Sequence, residues 1–145
     1  MSIFRPATSR QISLGLTILR VVTGITFLAH GYQKLFVFGV TGIQGGFAQM
    51  GVPMPTIMGP LIGMLEFFGG IALVIGFLTR PLAVLFALDM LGAIFVVHGK
   101  NGFFLPQGFE FVLILCAASV ALALAGGGAY SADEAIARRS GRAVP

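Results

Sequence analysis

One apolar segment, residues 12–38, constrains the chain more than any other, because it is long enough to cross a membrane as a helix yet carries Arg20, His30 and Lys34. At 100° per residue, Lys34 lies about 40° and His30 about 80° from Arg20, so the three share one stripe with Thr23, Phe27 and Gly31. Ile18, Val22 and Ile25 form the opposite, apolar face. A cation near the centre of a bilayer costs at least roughly 2.5 kcal/mol, so the stripe must face protein, water or a ligand. The rest of the chain has to supply partners.

Of 145 residues, 57% are hydrophobic and only 10% charged, with mean hydropathy +0.97. A soluble domain carries about 25% charged residues, so this composition is that of an integral membrane protein. The length admits a single domain, 1–145, with four spans expected at about 12–38, 57–78, 81–98 and 108–125 and nothing left for a soluble domain. The net charge of +4 does not indicate nucleic-acid binding, since the basic residues are scattered over span ends and tails. The lone Cys116 excludes an internal disulfide and a Cys-x-x-Cys redox pair. The first span is expected to stay as a signal anchor, being too long and too polar at Arg20 for a cleavable leader. Arginines at 5, 10 and 80 argue for a multi-pass protein with both termini cytoplasmic.

The first connection, residues 39–56, has no charge, and Ile43, Phe47 and Met50 recur at helical spacing before the stop Gly51 and Pro53. A short interfacial helix lying over the bundle is expected there, poised as a lid. In the second span, Gly59, Gly63 and Gly70 share a face with Glu66, so the acidic face is also the one that can approach another backbone. Thr79, Arg80 and Pro81 read as a tight turn. Asp89 lies midway along the third span, which ends in His98, Gly99 and Lys100, and Glu110 opens the fourth. Ala117, Ala121 and Ala125 form a second small-residue seam, Gly126 to Gly128 end the span, and Ser131 to Glu134 fit a capping box for an amphipathic tail, 131–145. Arg138, Arg139 and Arg142 suit lipid head groups. His-Gly followed by a lysine closes spans one and three, and a proline precedes a glutamate in spans two and four, an echo consistent with a duplicated helical hairpin.

By depth, Arg20, Glu66 and Asp89 form an inner polar layer, and His30, Lys34, His98, Lys100, Asn101 and Glu110 an outer one. A purely structural account makes Arg20 and Glu66 a buried ion pair, with Asp89 protonated or hydrogen-bonded and the lysines snorkelling to head groups. The functional account is a pocket open to the outer leaflet. In it Glu66 and His30 exchange protons, Arg20, Lys34, His98 and Glu110 bind the ligand, and Phe27, Phe67, Phe68, Phe103 and Phe104 wall it. A quinone needs donors to its carbonyls, a cation for developing negative charge and a proton source, and these residue types supply all three. Two histidines near one end of a bundle would also permit a haem or a metal. No Glu-x-x-His pair occurs, and Lys34 would repel a metal cation, which disfavours both.

The chain resembles the DoxX family of small four-helix bacterial membrane proteins. The resemblance lies in Leu19-Arg20 to Gly24, in His30 to Leu35, in Gly51-Val52-Pro53, in Glu66 to Gly70 through Gly76 to Thr79-Arg80, in His98 and Glu110, and in the Gly-rich stretch leading to Ser131 and Asp133. It implies an all-α four-helix bundle in the bacterial inner membrane, linked to redox processes. Family members resemble subunits of quinone-linked oxidoreductases, including thiosulfate oxidation systems, or membrane partners of thiol and superoxide detoxification enzymes. Two alternatives remain: a non-enzymatic scaffold that recruits a redox partner through residues 39–56 or the basic tail, and a small-molecule or proton transporter. The latter would need a homo-oligomer.

Overall fold

The computed structural model describes residues 5–141, and among these all regular structure is helical. The elements are α1 (Ser9–Tyr32), continued by a π-helical segment (Gln33–Phe38), α2 (Gly39–Met50), α3 (Pro55–Ile75) and α4 (Thr79–Gly92). A second π segment (Ala93–His98) and a 3₁₀ turn (Gly99–Asn101) follow, then α5 (Glu110–Ala125) and α6 (Ala132–Arg139). The first, second and third spans are each long and apolar enough to cross a bilayer. The fourth, α5, has 16 residues, about 24 Å at 1.5 Å per residue, and the phenylalanine-rich loop before it extends the apolar surface.

Packing is densest within two hairpins, α1 against α3 and α4 against α5. The core between them is Phe27, Leu73, Ala83, Phe86, Met90, Val112, Leu115, Cys116 and Leu122. As the stripe argument requires, Arg20, Thr23, Phe27 and Gly31 are buried while Ile18, Val22 and Ile25 are exposed. The two π segments fall at different places relative to the His-Gly pairs: one begins after His30, the other ends at His98. The echo between hairpins is therefore not a register-for-register copy.

α1 starts earlier than its apolar pattern, at a capping box in which Thr8 and Gln11 bond reciprocally. α2 has the predicted form, with Ile43 and Phe47 buried and a left-handed Gly51 as its stop. It packs on α3 at Gly59 and Gly63. Pro60 has no N–H to offer the Thr56 carbonyl one turn back, and Gln44 Nε2 on α2 donates to that carbonyl instead at 3.0 Å. This bond ties α2 to the start of α3.

The expected turn at Thr79–Pro81 is a correction. Thr79 already begins α4, and the turn is Gly76 to Leu78. Leu78 cannot cap a helix, so Asp133 does so from the tail: its Oδ1 and Oδ2 accept from the N–H groups of Leu78 and Thr79, each at 2.8 Å. Its own N–H donates to Gly76 O at 2.9 Å. Ser131 caps α6 by accepting from Glu134 N, but Glu134 turns to Arg138, so only half of the capping box forms. The Ala117, Ala121 and Ala125 seam is also corrected. These residues are exposed, and α5 packs through Val112, Leu115, Cys116, Ser119 and Leu122. Arg138 and Arg139 are exposed on α6, and Arg142 lies outside the described residues.

Candidate functional site: a polar centre between the first three spans

Two helices can bring charged side chains together at depth only if their backbones come close. On α1, a β-carbon at Gly31 would overlap the backbone of Phe67 and Glu66, and one at Gly24 would lie 2.8 Å from Val74 Cγ2 and 3.0 Å from Gly70 O. Gly70 is equally tight against Leu28. This glycine seam runs α1 along α3 in antiparallel register. Three residues beyond Gly31, Lys34 lies in the widened π segment and its Nζ forms an ion pair with Glu66 Oε2. The two side chains are 19% and 5% exposed. Single-turn π segments recur at functional sites because the widening re-aims a side chain.

Asp89 stands at the level of Glu66 on the neighbouring α4: Gly69 of α3 meets the Phe86 ring, and Glu66 and Asp89 each lie one turn on from that contact in the same direction along the bundle. Its Oδ2 is buried without a hydrogen-bond partner. His30, one turn back on α1, feels the Lys34 charge and lies with its ring centroid 6.4 Å from that of Phe111. Its side chain borders an open recess of about 310 Å³ with Ala29 and Gln33. Adjoining it at Ala29, an open apolar groove of about 520 Å³ is lined by Ile25, Leu28, Ala29, Tyr32, Phe67 and Ile71. Phe67 thus sits beside the pair in sequence and lines the groove in space.

The expected Arg20–Glu66 pair is not formed, and Arg20 does not belong to a mid-depth layer with Glu66. Arg20 is 2% exposed, and its Nη1 donates to Leu73 O at 2.8 Å and to Val74 O, while Nη2 donates to Tyr130 O at 3.2 Å. It holds the last turn of α3 and the start of the tail, roughly 21 Å along the helix from Lys34. Lys34 in turn does not snorkel, because Glu66 holds it; Lys100 is exposed. Phe27 is a core residue, stacked on Phe86 with centroids 3.9 Å apart. Phe68 is exposed.

His98 and Glu110 organise the loop at the same end of the bundle as His30, whose ring centroid lies 6.4 Å from that of Phe111, the residue after Glu110. His98 Nδ1 lies 3.0 Å from Gln107 O, and Asn101 Nδ2 donates to the same carbonyl at 3.4 Å. Glu110 Oε1 accepts from Leu105 N at 2.7 Å. Phe103 packs edge-on against Phe104 and Phe109 within this loop. Among the described residues, no group of three or more His, Cys, Asp or Glu side chains is arranged to hold a metal ion. Sequence reasoning placed no weight on Asp133 as a cap or on Arg20 as a carbonyl anchor. The signal for the first was an α4 start without a capping residue of its own.

A bundle of apolar helices with an ion pair enclosed at depth defines a polytopic membrane protein built around an intramembrane polar centre. The chain belongs to the DoxX family, whose model matches residues 15–99. It is 36% identical over 118 residues to CatD of Bacillus subtilis, which carries a provisional oxidoreductase name; the match covers 81% of this chain and 84% of that protein. It is 33% identical over 131 residues to the inner membrane protein YqjF of Escherichia coli, covering 87% and 95%. An uncharacterized membrane protein of Mycobacterium tuberculosis, Rv3486, is 29% identical over 133 residues, covering 84% and 81%. No solved structure matches the chain.

Proposed function

We propose that this protein is a quinone-binding subunit of a membrane redox or oxidative-stress detoxification system in the bacterial inner membrane, with both termini cytoplasmic. The observation that carries the reading is the Lys34–Glu66 pair at membrane depth, beside an exposed imidazole and an apolar groove open to lipid. In this reading the quinone ring lies against α1 near His30 and Lys34, which donate hydrogen bonds to its carbonyls. Phe67 and Tyr32 flank the ring, and the isoprenoid tail follows Ile25, Leu28 and Ile71 into the bilayer. Reduction of a quinone takes two electrons and two protons. The chain's part is to bind, orient and hold protons through His30, Glu66 and Lys34, and a redox partner protein supplies the electrons. The oxidoreductase name of CatD and the inner-membrane name of YqjF support this assignment.

A scaffold role is the second reading, favoured by α6, whose exposed Arg138 and Arg139 present a basic face to lipid or to a partner. A titration of a short-tailed quinone into the purified protein in detergent separates the two. Saturable binding weakened by E66Q and H30A supports the quinone site; absence of binding by the well-folded native chain overturns it in favour of the scaffold.

A further inference from the structure

The chain contains five carboxylate side chains, and their surroundings allow a charge count. Glu110 accepts a hydrogen bond from Leu105 N, Asp133 accepts two from Leu78 and Thr79, and Glu134 pairs with Arg138. Each of these three has its own hydrogen-bond donor. Glu66 is neutralised by Lys34. Asp89 is left over. It lies on α4 at the level of Glu66, as the Gly69–Phe86 contact one turn away sets it, yet the other buried cation of the stripe, Arg20, is spent on the carbonyls at the opposite end of α3. The first span also carries His30, whose ring centroid lies 6.4 Å from that of Phe111, and α5 offers Cys116, whose Sγ faces Ala87 O at 3.7 Å. Neither is a partner of Asp89 Oδ2.

Two carboxyls around one ammonium leave one negative charge uncompensated in an apolar interior, where an unpaired ion costs several kcal/mol. We infer that the Lys34–Glu66–Asp89 cluster holds one exchangeable proton, carried on Asp89, and that this cluster is a proton reservoir within the membrane. The unpartnered Oδ2 of Asp89 is where that proton resides: an unmet O–H is far cheaper to bury than an unmet charge. A ligand that drew Lys34 away from Glu66 would leave a second bare carboxylate and draw in a second proton. The count stands on the residues of the cluster and not on the quinone reading, so the two fail separately.

The test is infrared difference spectroscopy of the purified protein in water and in deuterium oxide, which counts protonated carboxyl groups by their deuterium-sensitive C=O stretch. The native chain is expected to show one. Asp89→Asn removes it, and Glu66→Gln removes it as well, because Asp89 then ionises and inherits Lys34. Lys34→Met doubles it. A native chain with no such band, or a band that survives in both Asp89→Asn and Glu66→Gln, would overturn the inference. Should Lys34→Met fail to fold, the two carboxyl variants, which leave Lys34 in place, still decide.

Discussion

Arg20 Nη1 donates to the carbonyl of Leu73 at 2.8 Å, joining a guanidinium on the first span to the last turn of α3. The last carbonyls of a helix have no partners within it and carry the negative end of its dipole, so a cation there satisfies both needs. Gly76, in the left-handed region at φ 80°, leaves room for the guanidinium: a β-carbon would lie 2.7 Å from Nη1. Replacing Arg20 with Met removes the guanidinium from three carbonyls: Leu73 O keeps the Gly76 N–H at 3.1 Å, while the part-buried carbonyls of Val74 and Tyr130 lose this donor, and the buried cavity left by the side chain adds to the cost. The expected loss is about 3 kcal/mol or more, with Lys restoring only part because it lacks the planar fork. Thermal unfolding followed by circular dichroism checks this, and an unchanged midpoint in Arg20→Met would refute it.

The glycine seam makes a contrast between two like substitutions. Gly31→Ala forces α1 off the Glu66–Phe67 backbone and is expected to cost at least about 2 kcal/mol. Gly45, on the exposed side of α2, has nothing within 4 Å of a β-carbon, and Gly45→Ala should stabilise by about 0.5–1 kcal/mol. The same unfolding assay ranks them; equal effects would mean that the seam does not bear on stability.

Asp133→Ala removes both acceptors from the start of α4 and is expected to cost about 1–2 kcal/mol. Amide exchange should rise at Leu78 and Thr79 before it rises in the core. Protection at those two amides unchanged by the substitution would show that the tail does not cap the helix.

In the loop before α5, Glu110→Ala frees the Leu105 N–H. Exchange at Leu105 should accelerate about tenfold, the equivalent of roughly 1.4 kcal/mol of lost local protection, while the α1–α3 seam stays protected. A uniform rise across all spans would instead tie Glu110 to the bundle as a whole.

Much of the fold was legible because its signals are local. The spans follow from long, predominantly apolar runs, α2 from Ile43 and Phe47, and its end from Gly51, whose φ of 79° suits a residue without a side chain. That Glu66 and Asp89 needed partners was also legible from their depth. Which partners was not. A helical projection puts Arg20, His30 and Lys34 on one stripe but ignores how far along an antiparallel neighbour each lies. Gly31 meets Glu66 and Phe67, and Leu28 meets Gly70, so Arg20 arrives at Gly76, ten residues and roughly 15 Å past Glu66. The π widening that seats Lys34 leaves no mark in hydropathy. α5 is apolar on every face, so its alanine seam and its buried face look alike in sequence.

Labelling with a photoreactive quinone, followed by mapping of the modified peptides, tests the quinone site most directly. The account predicts labels on α1 and α3 around His30, Tyr32 and Phe67, competed away by unmodified quinone and reduced in Glu66→Gln. Labels confined to α5 or to the 102–109 loop, or spread without competition over the lipid-facing surface, would contradict it.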